Sequence, residues 1–133
     1  MIPVGQNTDQ ITRLRHSDCD VTEWTIVVRV TYAEIKRALA VYNGGPTSLF
    51  VLWDFSLADV KLIRSEDIFE MSEAAKARAR LRVGGKTALV TNSDLAFGLA
   101  RMYQSYREIA QVELPFMSFR TRVEAISWLK AKS

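Results

Sequence analysis

The chain has a single cysteine, Cys19, and a single histidine, His16, among 133 residues. A lone cysteine forms no internal disulfide, which fits a reducing compartment and a cytoplasmic location. Both residues fall in His16-Ser17-Asp18-Cys19-Asp20, which looks superficially like a metal-ligand set. A polar turn between two strands accounts for the run more simply, so neither metal nor cofactor is expected. No stretch approaches the roughly 18 apolar residues of a membrane-spanning helix. The opening MIPVGQNTDQ lacks a basic segment followed by an apolar one, so no secretory signal is read there. An excess of one charge is missing too: 18 Lys and Arg against 15 Asp and Glu leave a net +3. With no basic stripe interleaved with stacking aromatics, nucleic acid is not an expected partner.

What is present suits one globular domain over residues 1–133. The 48% hydrophobic and 25% charged residues are ordinary proportions, and a chain of this length buries roughly two-thirds of its unfolded surface. Ile11 to Arg15 and Trp24 to Val30 read as strands joined by the HSDCDVTE turn. Thr31-Tyr32-Ala33-Glu34 is a capping box that opens a helix with Ile35, Leu39 and Tyr42 inward and a stop at Asn43-Gly44-Gly45-Pro46. Leu49 to Trp53 is nearly continuously apolar and reads as a central strand ended by Asp54. After the connection SLADVKLIR, Ser65 is the expected N-cap of a helix with Glu66 and Asp67 first and Lys76, Arg78 and Arg80 last, an order that complements the helix dipole. Thr87 to Thr91 is a second buried strand. Asn92-Ser93-Asp94 caps a long helix with Leu95, Leu99, Met102, Tyr106 and Ile109 toward the sheet and Arg101 and Glu108 outward. Gly98 inside it predicts a close neighbour. Pro115 to Arg120 is the last strand, and Thr121-Arg122-Val123-Glu124 caps a terminal helix carrying Val123, Ile126, Trp128 and Leu129. The order ββαβαβαβα predicts an α/β fold with a mixed five-stranded sheet and about four helices.

Gly84-Gly85-Lys86-Thr87 ends like a phosphate-binding loop. The first glycine of that motif is absent, however, and a strand rather than a helix follows, so a turn is the better reading.

The segment GGKTALVTNSDLAFGLARMY and the closing FMSFRTRVEAISWL resemble the bacterial SpoIIAA-like proteins, grouped with STAS and Sec14-type domains. The resemblance covers nearly the whole chain in element order, and implies a mixed sheet with packed helices and no established catalytic activity. It also implies a regulatory role exercised through a protein partner, or a small apolar or lipid-like ligand as in Sec14-type domains; a homo-oligomer is a separate option that the sequence leaves open. Relatives are switched by phosphorylation of a serine in an Asp-Ser-Ser-Gly segment. Only Ser65 corresponds here; the glycine is missing, and Glu66 and Asp67 would repel a phosphate.

Ligands of open α/β sheets tend to sit at the carboxyl ends of strands. Asp54, Ser56, Ser65, Asn92, Ser93 and Asp94 are therefore expected to gather at one edge as ligand- or partner-binding candidates. The same residue types serve caps and Asx-turns, and no nucleophile–base pair accompanies them, so no catalytic residue is assigned. Arg101 is added as a guanidinium that can lie along Phe97 and meet an acidic partner. A non-catalytic regulatory domain is the first expectation, a carrier of an apolar ligand the second, and an enzyme at the Asp/Ser cluster the third. An internal apolar cavity favours the carrier; an exposed apolar patch above a few hundred Å² favours the partner surface.

Overall fold

The computed structural model describes residues 11–16, 18–43 and 48–131. The MIPVGQNTDQ opening, Ser17, the stop expected at Gly44-Gly45-Pro46 and the side chains of Tyr42 and Asn43 lie outside the described residues. Ten elements follow one another: β1 (Ile11–His16), β2 (Val21–Arg29), α1 (Tyr32–Asn43), β3 (Phe50–Asp59), α2 (Ser65–Arg78), a short 3-10 turn (Ala79–Arg82), β4 (Lys86–Val90), α3 (Asp94–Ile109), β5 (Phe116–Phe119) and α4 (Arg122–Lys130). They form an α/β fold whose five strands lie in one mixed sheet in the order β1-β2-β3-β4-β5. The β1–β2 pair is antiparallel, and β2, β3, β4 and β5 run parallel to one another.

Spatial order equal to chain order has a direct consequence. Each β-α-β step moves one strand in the same direction, and right-handed crossovers then place α1, α2 and α3 on the same face. Their side chains join one buried cluster with Trp24, Ile26 and Val51 of the sheet. Only α4, with no further strand to reach, folds over the opposite face, where Ala125 and Leu129 pack on Val21, Leu52, Ala88 and Val90.

The local signals act as their chemistry predicts. Glu34 N–H donates to Thr31 Oγ1 (3.2 Å) and Thr31 N–H donates to Glu34 Oε1 (2.9 Å), a complete capping box. Ser93 Oγ accepts from Ala96 N–H at α3, and Thr121 Oγ1 accepts from Glu124 N–H at α4. The GGKT segment is a turn into a strand, as its residues suggest. Gly84 takes φ 90°, and a Cβ on Gly85 would lie 1.9 Å from the Leu49 carbonyl oxygen. Lys86, the residue that would hold a phosphate, is buried and donates to the carbonyls of Trp128 (2.9 Å) and Ala131 (2.8 Å) at the end of α4.

Several expectations are corrected. Strand β3 does not end at Asp54 but continues to Asp59, because β2 past an irregularity between Thr25 and Val27 still offers a pairing edge. The cap of α2 is Arg64, not Ser65: Arg64 N–H donates to Asp67 Oδ2 (2.8 Å), while Ser65 is the first helical residue. On α3 the buried residues are Ala96, Ala100 and Arg107, whereas Leu95 (49% exposed) and Ile109 (79%) face out. The inward stripe is thus rotated by about one residue, with Leu99, Met102 and Tyr106 at its flank. Gly98 is exposed and a Cβ there would meet nothing within 4 Å, so no close neighbour explains it. Val123 of α4 is likewise exposed.

Candidate functional site

The side of the sheet beneath α1, α2 and α3 is not filled. Strand residues Val51 and Trp53 supply the floor, with Trp24 stacked on Trp53 at a ring-centroid distance of 5.0 Å. Helices α2 and α3 lean on each other through Phe69 and Tyr106, whose rings meet edge to face at 5.4 Å. The positions these helices turn to the space include Ala74, Ala75, Ala96 and Ala100. Such short side chains cannot reach the sheet, and a cavity of about 210 Å³ remains. Its walls are predominantly apolar, with Ile35 and Leu39 of α1 and Ile68 and Met71 of α2 completing them. By comparison, a cavity of about 150 Å³ lined by aliphatic and aromatic side chains stays dry and takes benzene.

Three arginines, Arg78, Arg82 and Arg107, line the same space. Arg82 is committed to the backbone: it donates to the carbonyls of Ser48 (3.0 Å), Leu49 (2.9 Å) and Lys86 (2.9 Å) and to Thr87 Oγ1 (2.9 Å). It thereby ties the 3-10 turn to the start of β3 and β4. Arg107 is different. It is only 3% exposed, donates to Tyr103 Oη (3.2 Å) and to the Leu114 carbonyl, and lies 5.3 Å from both the Tyr103 and the Phe116 ring centroids. Arg107, Leu114, Phe116 and Thr87 come from the last turn of α3, the loop before β5 and the first residues of β5 and β4. The charged end of the cavity therefore lies at the amino ends of the parallel strands, the edge opposite to the one expected from α/β sheets in general.

The residues expected at the carboxyl edge are each held locally. Asp54 Oδ1 accepts from Ser56 N–H (2.9 Å) and Oγ–H (2.6 Å) within β3. Ser65 Oγ–H donates to the neighbouring Glu66 (3.3 Å), and Ser93 serves as the α3 cap. Asn92 and Asp94 are brought together by Arg120, which donates to the Asn92 carbonyl (3.2 Å) and to Asp94 Oδ1 (3.4 Å). The cation along Phe97 is Arg120 as well, at 4.0 Å from the ring centroid, and not Arg101, which is exposed as expected.

A second polar group lies on the α4 face. Glu23 Oε1 accepts from Arg122 Nη2 (2.7 Å) and meets His16 Nε2 (3.1 Å), while Oε2 accepts from Arg122 Nε (2.7 Å). The Arg122 hydrogen bonds, reinforced by His16, hold the Glu23 carboxyl below its ordinary value despite burial. Arg122 in turn is raised above its ordinary value, chiefly by Glu23 and further by the charge of Asp54. A carboxylate so fully engaged is a fixed anion that orients α4, the reverse of the raised carboxyl a general acid needs.

Sequence reasoning missed Glu23, Arg122 and Arg107. The first two are 99 residues apart and carry no spacing signal. Arg107 was within reach: it falls on the same helical edge as Ala96, Ala100 and Tyr103, and a charged residue on a buried stripe is informative. Comparison of the chain with family models, with curated proteins and with solved structures finds no match.

Proposed function

We propose that the chain is a non-catalytic binding protein for a small, largely apolar molecule held between the sheet and helices α1 to α3. The observation that supports this reading is the cavity of about 210 Å³ with its predominantly apolar walls. Scaled from the cavity that takes benzene, it suits an apolar body of about eight carbons. A close-packed interior has few voids larger than a water molecule, so an opening of this size costs stability unless a ligand offsets it. The regulatory protein-interaction role implied by the SpoIIAA-like resemblance would rest on exposed apolar side chains such as Leu57, Val83, Ile109 and Val123, which come from separate parts of the chain, and single exposed apolar residues are normal on a surface. The apolar carrier is therefore the reading preferred.

Native mass spectrometry of the freshly purified chain should show a co-purifying small molecule. Thermal denaturation should show a higher midpoint with an eight-carbon probe, either 1-octanol or octanoate. A saturating ligand at about 100 times its Kd stabilises by about 2.7 kcal/mol, a readily measured shift. Ala100→Phe, which fills the cavity from α3, should abolish that shift. No bound mass and no shift with either probe overturns the proposal.

A further inference from the structure

We infer that the ligand of this cavity is a monocarboxylate whose head group is bound by Arg107. The inference rests on the apolar-binding reading above and names the chemistry of its occupant. Arg107 is only 3% exposed, and no ion pair among the described residues includes it. Burying an uncompensated charge is expensive, and neutral partners offset it only in part. Its compensation here consists of one carbonyl, one phenol oxygen and two ring faces. The last turn of α3 adds the negative end of a helix dipole, an effect of partial charges and not of an anion. A guanidinium has five N–H donors, of which these two hydrogen bonds use two, leaving three. A carboxylate accepts such donors in a parallel pair, supplying both the missing charge and the missing acceptors.

Arg107 also lines the space, so head group and apolar body would be recognised in one pocket. The other lining arginines are less suited. Arg82 is spent on three carbonyls and Thr87, and Arg78 already has a partner of its own. The size of the cavity limits the anion to one with a short apolar body, an eight-carbon aliphatic acid or an aryl-substituted short one.

Isothermal titration of the full chain with octanoate and with 1-octanol tests this directly, because the two differ only in the head group. Octanoate should bind with one-to-one stoichiometry and at least tenfold tighter than the alcohol. Arg107→Gln should bring octanoate down toward the affinity of the alcohol, while Arg107→Lys should retain part of the preference. Should Arg107→Gln fail to fold, Arg107→Lys and the wild-type comparison of the two probes still decide. Equal affinity of octanoate and 1-octanol for the wild type overturns the carboxylate and leaves the apolar cavity standing. Binding of neither probe removes the apolar-binding reading itself. An unchanged octanoate preference in Arg107→Gln assigns the anion to another residue and overturns the role of Arg107.

Discussion

The two faces of the sheet are covered in opposite ways. On one, α4 lies directly on the strands: Ala88 and Ala125 are both wholly buried and let the helix approach closely, with Leu129 (2% exposed) filling the gap beside them. Polar ties then fix it at both ends, Arg122 to Glu23 at its start and the Lys86 ammonium to its final carbonyls. On the other face, small residues in the same role have the opposite effect. Ala96 and Ala100 point inward from α3, but that helix is held away by its neighbour α2, and the space remains open. Alanine thus permits contact where nothing props a helix up and leaves a void where something does. On the proposed reading, the first face secures the fold and the second holds the ligand.

If that division is right, truncation should hurt more on the closed face. Leu129→Ala should cost about 2–5 kcal/mol, because the contact is dense and cannot relax. Leu99→Ala, at the flank of the cavity and partly exposed, should cost about 1–2 kcal/mol. Urea denaturation of both variants without ligand measures the pair. Equal costs, or a larger one for Leu99, would break the comparison.

The polar ties give a second test with a pH signature. Glu23→Gln removes a carboxylate that accepts two hydrogen bonds from Arg122, and should cost about 1–3 kcal/mol at pH 7. The Glu23 carboxyl lies below the ordinary value of 4.5 in the folded chain. Its stabilisation is therefore fully present above the unfolded value, and is lost as pH falls through the lower folded one. The stability gap between wild type and variant should narrow on acidification below about pH 4.5. A gap constant from pH 7 into that range would mean that the Glu23 charge does not hold α4. Octanoate binding at pH 7 should be unaffected by this change, since the opposite face carries it.

What was legible in the sequence follows the range of each interaction. The Thr31–Glu34 and Thr121–Glu124 boxes and the Ser93 cap act within one turn, so their residues announce them. The alternation of strands and helices along the chain follows from hydrophobic periodicity. Asp54 misled because its side chain does make the local Asx-type contact of a strand end, with Ser56. Whether the strand stops there depends on β2, which carries on to Arg29 and pairs with Asp59. Large apolar residues ordinarily mark the buried edge of a helix, and on α3 Leu99, Met102 and Tyr106 do pack at its flank, but Leu95 and Ile109 face out. The cavity inverts that rule, since a helix standing over an open space turns alanines toward it. None of the caps reveals the cavity, which arises from how α2 and α3 meet.

The smallest expected effect tests that same helix from its outer side. Gly98 lies in the middle of α3 with ordinary helical neighbours on both sides, and a Cβ added to it would meet no atom within 4 Å. Nothing in the packing therefore requires a glycine. Replacing it with alanine removes conformational freedom from the unfolded chain without strain in the folded one. Gly98→Ala should stabilise the protein by about 0.5–1 kcal/mol. Because the added methyl points away from the sheet, octanoate affinity should stay within about twofold. If the stabilisation appears but binding falls well beyond that limit, rigidity of α3 rather than the shape of its inner edge governs the cavity. The division between a rigid face and a receptive one would then depend on motion, and amide exchange along α3 with and without octanoate would show it.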